Sequence, residues 1–127
     1  MERETEAVIL DVLRQHSILT LATMRQDGWP QATTVGYVSD GLTLCVGCAA
    51  NSQKVRNIER CNRVSLTADH DEDHWSRIRG LFMGATVEVV TDPAEIARAV
   101  ELILAKFPQL KCMPKPEPGS FAFLKIT

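Results

Sequence analysis

The spacing of apolar positions changes period several times along the chain. Residues 3–16 put Val8, Ile9, Val12 and Leu13 on one stripe and Glu4, Glu6, Asp11 and Arg14 away from it, which predicts an amphipathic helix ended at Ser17. Ile18–Met24 then predicts a strand. Arg25-Gln26-Asp27-Gly28 reads as a tight turn, because Asp-Gly tolerates positive φ. Gln31–Val38, entered through Trp29-Pro30, predicts a second strand, with Pro30 at its start where a missing N–H matters least. Ser39-Asp40-Gly41 repeats the turn signal, and Leu42–Val46 alternates again as a third strand. Two Asp-Gly hairpins in succession predict an antiparallel meander.

The second half follows the same logic. A helix opens on Asn51-Ser52-Gln53-Lys54, with Val55 and Ile58 at helical spacing. Val64–Asp69 predicts a fourth strand, His70–Ser76 a polar loop, and Ile78–Val90 a long strand in which Gly80 and Gly84 predict a bulge or bend. Asp92-Pro93-Ala94-Glu95 is a strong helix start: Asp92 as cap, Pro93 in the first position and Glu95 reaching back. Ile96, Val100, Ile103, Leu104 and Phe107 are its expected buried stripe, and Pro108 stops it. Lys111–Gly119 is a proline-rich loop without periodicity, and Ser120–Thr127 is the sixth strand. The expected fold is mainly β with helical inserts: a small six-stranded antiparallel barrel in a single domain over residues 1–127.

Candidate chemistry concentrates in Leu42–Cys61. Gly47, Ala49 and Ala50 leave room for a group to approach the backbone before the helix. Asn51 or Ser52 can cap that helix, and its remaining N–H groups with the positive dipole end form an anion site. Lys54 strengthens the case, since a cation ordinarily sits late in a helix. The plainer alternative is a capped helix with a solvated lysine.

Composition narrows the classes. The chain has 127 residues, 45% apolar and 24% charged, with net charge −2. No global positive field draws in nucleic acid, no apolar run reaches membrane-span length, and the charged N-terminus does not read as a signal peptide. The expectation is a cytoplasmic protein with no nucleic-acid or membrane partner. The four cysteines, Cys45, Cys48, Cys61 and Cys112, read as free thiols rather than a zinc or redox pair. Asp69–His74 is the densest polar cluster, but His70 and His74 would converge on a metal only from a helix, so no metal is expected. His16 ends an amphipathic helix where a cation suits the dipole. No nucleophile-elbow motif is present, which argues against hydrolysis, and no GxGxxG or GxxxxGKS phosphate loop occurs.

The run TLATMRQDGWPQATTVGYVSDGLTLCVGCAANSQKVRNIERCNRVSLTAD, followed by RGLFMGATVEVVTDP and a helix ending in KFP, resembles the pyridoxamine 5′-phosphate oxidase-like proteins. The resemblance covers the chain from about Ile18 onward. It implies a flavin-binding split barrel that forms a homodimer, with flavin mononucleotide (FMN) between the barrels. By position, Ser52, Gln53 and Lys54 match the phosphate-binding stretch; Thr33 and Thr34 match the segment beside the isoalloxazine ring; and Val46 matches residues lining the ribityl or ring region. Trp75 and Arg79 lie where the partner chain reaches across, Trp75 as a candidate to cover the ring. The pyridoxamine oxidases themselves carry an arginine and a lysine on the second strand about where Thr33 and Val38 stand here, so vitamin B6 oxidation is not implied.

The resemblance leaves the reaction open, because one fold hosts many chemistries. The implied function is flavin-mediated hydride or electron transfer to an unassigned small-molecule substrate, with no catalytic residue singled out. The alternatives are a haem binder, for which His70 or His74 would serve as ligand, a deazaflavin user relying on Lys111 and Lys115, or a non-enzymatic flavin carrier or sensor.

Overall fold

The computed structural model describes residues 1–69 and 73–127. Three helices, α1 (Arg3–Gln15), α2 (Gln53–Arg60) and α3 (Pro93–Lys106), decorate seven strands. The strands are β1 (Ile18–Met24), β2 (Pro30–Gly36), β3 (Val38–Asp40), β4 (Thr43–Ala49), β5 (Arg63–Ala68), β6 (Leu81–Val89) and β7 (Phe121–Ile126). They form one sheet in the order β2-β1-β5-β6-β7-β4-β3, every neighbouring pair antiparallel. This is a split barrel, with one strand more than the sequence pattern predicts.

The extra strand comes from a break at Tyr37. Both Asp-Gly turns form hairpins, with Gly28 at φ +87° and Gly41 at φ +62°. The expected meander does not form, because β2 and β3 lie at opposite edges of the sheet. At Tyr37 the chain crosses from one edge to the other and so closes one side of the curled sheet. The Tyr37 ring is buried, its hydroxyl donates to the Leu13 carbonyl at 2.6 Å, and its N–H donates to the Ser17 carbonyl at 3.1 Å. Lys106 Nζ stands 4.0 Å from the centre of the Tyr37 ring and donates to the His16 carbonyl at 2.7 Å. Two donors thus satisfy carbonyls that the end of α1 leaves without a helical partner. Burial pushes the Tyr37 hydroxyl up to about 12 and holds the Lys106 ammonium below its usual range.

The core is built from alternate strand positions: Leu19 and Leu21 on β1, Leu44 and Val46 on β4, Val64 and Leu66 on β5, Leu124 and Ile126 on β7. Val55 and Ile58 of α2 and Leu13 of α1 close it. Each fully buried leucine stabilises the fold by roughly 1.5–3 kcal/mol over an exposed one. The other face of β2-β1-β5-β6 is bare of large side chains over most of its width. Its cross-strand rows are Thr34–Thr20–Thr67–Phe82 and Ala32–Ala22–Ser65–Gly84.

Three further expectations change. The β5–β6 ladder runs unbroken from Arg63↔Thr86 to Ala68↔Leu81, so Gly84 makes no bulge; a Cβ there would point into open space. Instead β6 changes partner from β5 to β7 between Thr86 and Val87. Helix α3 starts on Asp92 as expected, its carboxylate accepting from the Ala94 N–H at 3.2 Å, but Glu95 does not reach back: it accepts from Lys125 Nζ at 3.0 Å. Ala99 is its fully buried residue, Ile96, Ile103, Leu104 and Phe107 of the expected stripe are half-buried, and Val100 is exposed. Among the described residues no helix is long and apolar enough to cross a membrane.

Candidate functional site

The start of α2 is an open helix end. Ser52 holds the N-cap position with extended backbone, φ −69° and ψ 156°, yet its side chain makes no capping hydrogen bond. The Ser52 hydroxyl faces Cys48 Sγ at 3.9 Å instead. The first turn contains no acidic residue and does contain Lys54, which has no ion-pair partner among the described residues. Burial raises the Cys48 thiol above its ordinary value, while the Ser52 hydrogen bond and the Lys54 charge pull it back down. Lys54 thus lies in the same first turn as the Ser52 cap position. The first-turn N–H groups, a hydroxyl and an ammonium are carried by one helix start, a donor set that suits an oxyanion.

The backbone approach expected at Gly47 is closed by the chain itself. A Cβ at Gly47 would lie 2.6 Å from the Phe121 ring, so the glycine accommodates that aromatic rather than a ligand. Cys45 and Cys48 lie on opposite faces of β4 and do not form a bridging or chelating pair. Among the described residues no cluster suited to a metal ion occurs. His70 lies outside the described residues; His74 pairs through Nδ1 with Ser76 Oγ at 2.6 Å.

A buried polar network joins α2 to β1 and β2. Asn57, 1% exposed, donates through Nδ2 to Thr23 Oγ1 and to Gln31 Oε1, each at 3.0 Å, and accepts from Gln53 Nε2 at 2.8 Å. Both N–H donors and the oxygen of that buried amide are engaged, so it fixes the helix on the strands at little desolvation cost. Arg60 donates to the Met24 carbonyl and holds the other end of the same helix. Neither Gln31 nor Asn57 is singled out by motif. The available signal was Gln31 itself, a polar residue on the inward side of the Gln31-Thr33-Val35 alternation.

The structure brings only some of the expected residues together. Ser52, Gln53 and Lys54 form the open turn. Thr33 shares the face of β2 that carries Gln31, one alternation along from the network, whereas Thr34 points to the bare outer face. Val46 is fully buried in the core. Trp75 sits in a 3-10 turn at 89% exposure, and Arg79 pairs with Asp11 of α1 at 3.2 Å. Arg79, two residues before the Leu81↔Ala68 pair, lies toward the Ile18 end of β1, while α2 rests on its Thr23–Met24 end, some 20 Å along the strand for about six residues. A cleft of about 420 Å³ between α3 and β3–β4 is separate from all of these, and its rim charges are paired: Arg98 with Asp40 at 4.0 Å, Lys125 with Glu95 at 3.0 Å.

The family profile described as pyridoxamine 5′-phosphate oxidase matches residues 5–127. The chain belongs to the pyridoxamine 5′-phosphate oxidase-like family. A provisionally assigned pyridoxamine 5′-phosphate oxidase of Listeria innocua superposes with TM-score 0.80 at 22% identity, covering 97% of this chain and 92% of that one. HutZ, the haem storage protein of Vibrio cholerae, gives 0.78 at 19% identity, covering 100% and 90%. A conserved hypothetical protein of Mycobacterium tuberculosis gives 0.79 at 26% identity, covering 100% and 81%. The family member described here thus shares its barrel fold with these structures.

Proposed function

We propose that the chain binds FMN, with the phosphate at the first turn of α2, and serves as an oxidoreductase acting on a small molecule. The observation that carries this reading is the helix start itself: uncapped, free of acid and carrying Lys54. Ser52 Oγ and the N–H groups of the first turn would hold the phosphate oxygens, and Lys54 would balance their charge. Thr33, on the inward face of β2, would meet the part of the cofactor beyond the phosphate. Bound flavin supplies hydride and single-electron chemistry; the protein binds, orients and shields it. The absence of any cluster of acid and base groups at the open turn fits a site in which the chain positions the cofactor and offers no proton-transfer residue of its own.

The bare face of β2-β1-β5-β6 supports a homodimer. Small side chains let a second copy come close, and Phe82, exposed at 71%, and Ile18, at 52%, stand out from that face as apolar anchors. In such a dimer Trp75 and Arg79 would serve the partner's site rather than their own. Sedimentation at micromolar concentration tests this; a monomer there overturns the shared-groove arrangement.

The first experiment is an absorbance spectrum before and after FMN addition and dialysis. Flavin bands that survive dialysis are the expected result. A second reading is haem binding, favoured by the fold shared with HutZ and by His74 in the exposed segment after β5. A Soret band after incubation with hemin, with no retained flavin, would replace the first reading with the second. A deazaflavin coenzyme would displace both if it alone were retained.

A further inference from the structure

The polar network between α2 and β2 has a direction, and one residue sets it. Arg56 can only donate hydrogen bonds. Its Nη1 donates to the Asn51 carbonyl at 2.7 Å and its Nη2 to Gln53 Oε1 at 2.7 Å. Gln53 must therefore turn its amide nitrogen toward Asn57 Oδ1, at 2.8 Å. Asn57 must in turn present its nitrogen to Thr23 Oγ1 and Gln31 Oε1, each at 3.0 Å. Amide orientation at each step is thus assigned from the network, starting at a guanidinium that has no alternative role. The last member is Gln31. Its oxygen is committed to Asn57, so both N–H bonds of Nε2 point away from the network. No described group accepts from them, and the side chain is only half-buried.

We propose that Gln31 is a ligand-binding residue that presents a fixed pair of N–H donors to an acceptor oxygen of the bound cofactor. The inference rests on the FMN reading above, since the acceptor is a phosphate-ester, ribityl or ring-carbonyl oxygen of the molecule anchored at α2. Gln31 stands one carboxamide away from Gln53 in the first turn, within the span of such a cofactor. A group fixed as donor selects an acceptor and rejects a donor at that point of the ligand, because a mismatched pair would leave polar atoms unmet. If Gln31 served only as a bracket for Asn57, its oxygen would be the whole of its role and the chemistry of the outward group would be immaterial.

That difference defines the test. Gln31→Glu keeps an oxygen for Asn57 and replaces the outward N–H pair with a carboxylate oxygen. FMN affinity, measured by fluorescence quenching at about pH 7.5, should fall about tenfold or more. The loss should shrink on acidification toward about pH 5, where a protonated carboxyl regains a donor. Wild type titrated over the same range supplies the baseline for the phosphate's own ionisation. Gln31→Met, uncharged and of similar length, should weaken binding severalfold without the pH-dependent recovery, and stands in if the glutamate variant does not fold. FMN binding by the folded variants within about twofold of wild type, with Lys54→Ala weakened, would overturn the role of Gln31 and leave the FMN site intact. A wild-type protein that retains no FMN would overturn both.

Discussion

Two helices in this barrel begin in opposite ways. Helix α3 closes its own start: Asp92 accepts from the Ala94 N–H, Pro93 occupies the first position, and Glu95 places negative charge in the first turn. Helix α2 leaves its start open: the Ser52 side chain makes no capping bond, no acid follows, and Lys54 puts a cation at the positive end of the dipole. A missing cap and an unfavourable charge each cost on the order of 1 kcal/mol. The end of α1 belongs with α3, since Tyr37 and Lys106 supply donors to the carbonyls of Leu13 and His16. The start of α1 also lacks a side-chain cap but carries Glu4 and Glu6 in its first turn, whereas α2 has neither a cap nor an acid there.

Converting the open start into a closed one should give the largest effect. Lys54→Glu makes the first turn of α2 resemble that of α3. FMN affinity should fall by about 3 kcal/mol or more, and Lys54→Ala by about 1.5–3 kcal/mol. The ligand-free Lys54→Glu protein should melt no lower than wild type, because the acid suits the dipole. Unchanged FMN titrations for both variants would remove Lys54 from the site and dissolve the contrast with α3.

Opening a closed end should damage the fold instead. Tyr37→Phe removes the donor to the Leu13 carbonyl and should destabilise by about 1–3 kcal/mol in urea unfolding. Alkali should do the same to wild type. The hydroxyl's value is raised in the folded state to about 12, so the neutral form is the one folding favours. Its contribution is intact below pH 10 and is lost as pH rises through about 12, on the order of 2–3 kcal/mol in all. Lys106, held low by burial, works in the opposite sense over a lower window, so subtracting the Tyr37→Phe profile isolates the tyrosine. A variant with the same alkaline loss as wild type would assign that loss to other groups.

The contrast between helix starts was half legible in the sequence. Asp92-Pro93 announced a closed start and Lys54 a cation in the first turn of the other helix, because both depend on residues within one turn. That Ser52 leaves its helix uncapped was not legible, since serine at that position ordinarily caps. The strand through Gln31–Val38 read as continuous because alternation survives across Tyr37; the break belongs to barrel closure, a contact between sheet edges far apart in pairing order. Asn57 and Gln31 were invisible as a pair for the same reason. Each is an ordinary polar residue locally, and only the packing of α2 on β1 and β2 makes them neighbours. Val46 shows the converse: a position matched to a ligand wall by resemblance carries its side chain into the core.

Removing the cap that works should have a moderate, purely structural effect. Asp92→Ala should cost about 1 kcal/mol of stability, seen as a lower urea midpoint at unchanged slope, with FMN affinity unaltered. A change in FMN affinity would mean that α3 and α2 are coupled and are not independent examples of the two designs.

Ser52→Ala is the smallest and most discriminating change. Serine-to-alanine at an N-cap ordinarily costs as much as the Asp92 change, because a helix N–H loses its acceptor. Here the hydroxyl faces Cys48 Sγ, so nothing at the helix start is lost with it. Ligand-free stability should therefore move by less than about 0.5 kcal/mol, within the range of a neutral surface change. FMN affinity should still drop by about 0.5–1.5 kcal/mol, the contribution of one neutral hydrogen bond to the phosphate. The pair of numbers separates the two roles of one side chain. A stability loss as large as that of Asp92→Ala would show that Ser52 caps α2 in solution, and the helix start would then be closed like that of α3. A stable variant with weakened FMN binding would show an end kept open for a ligand.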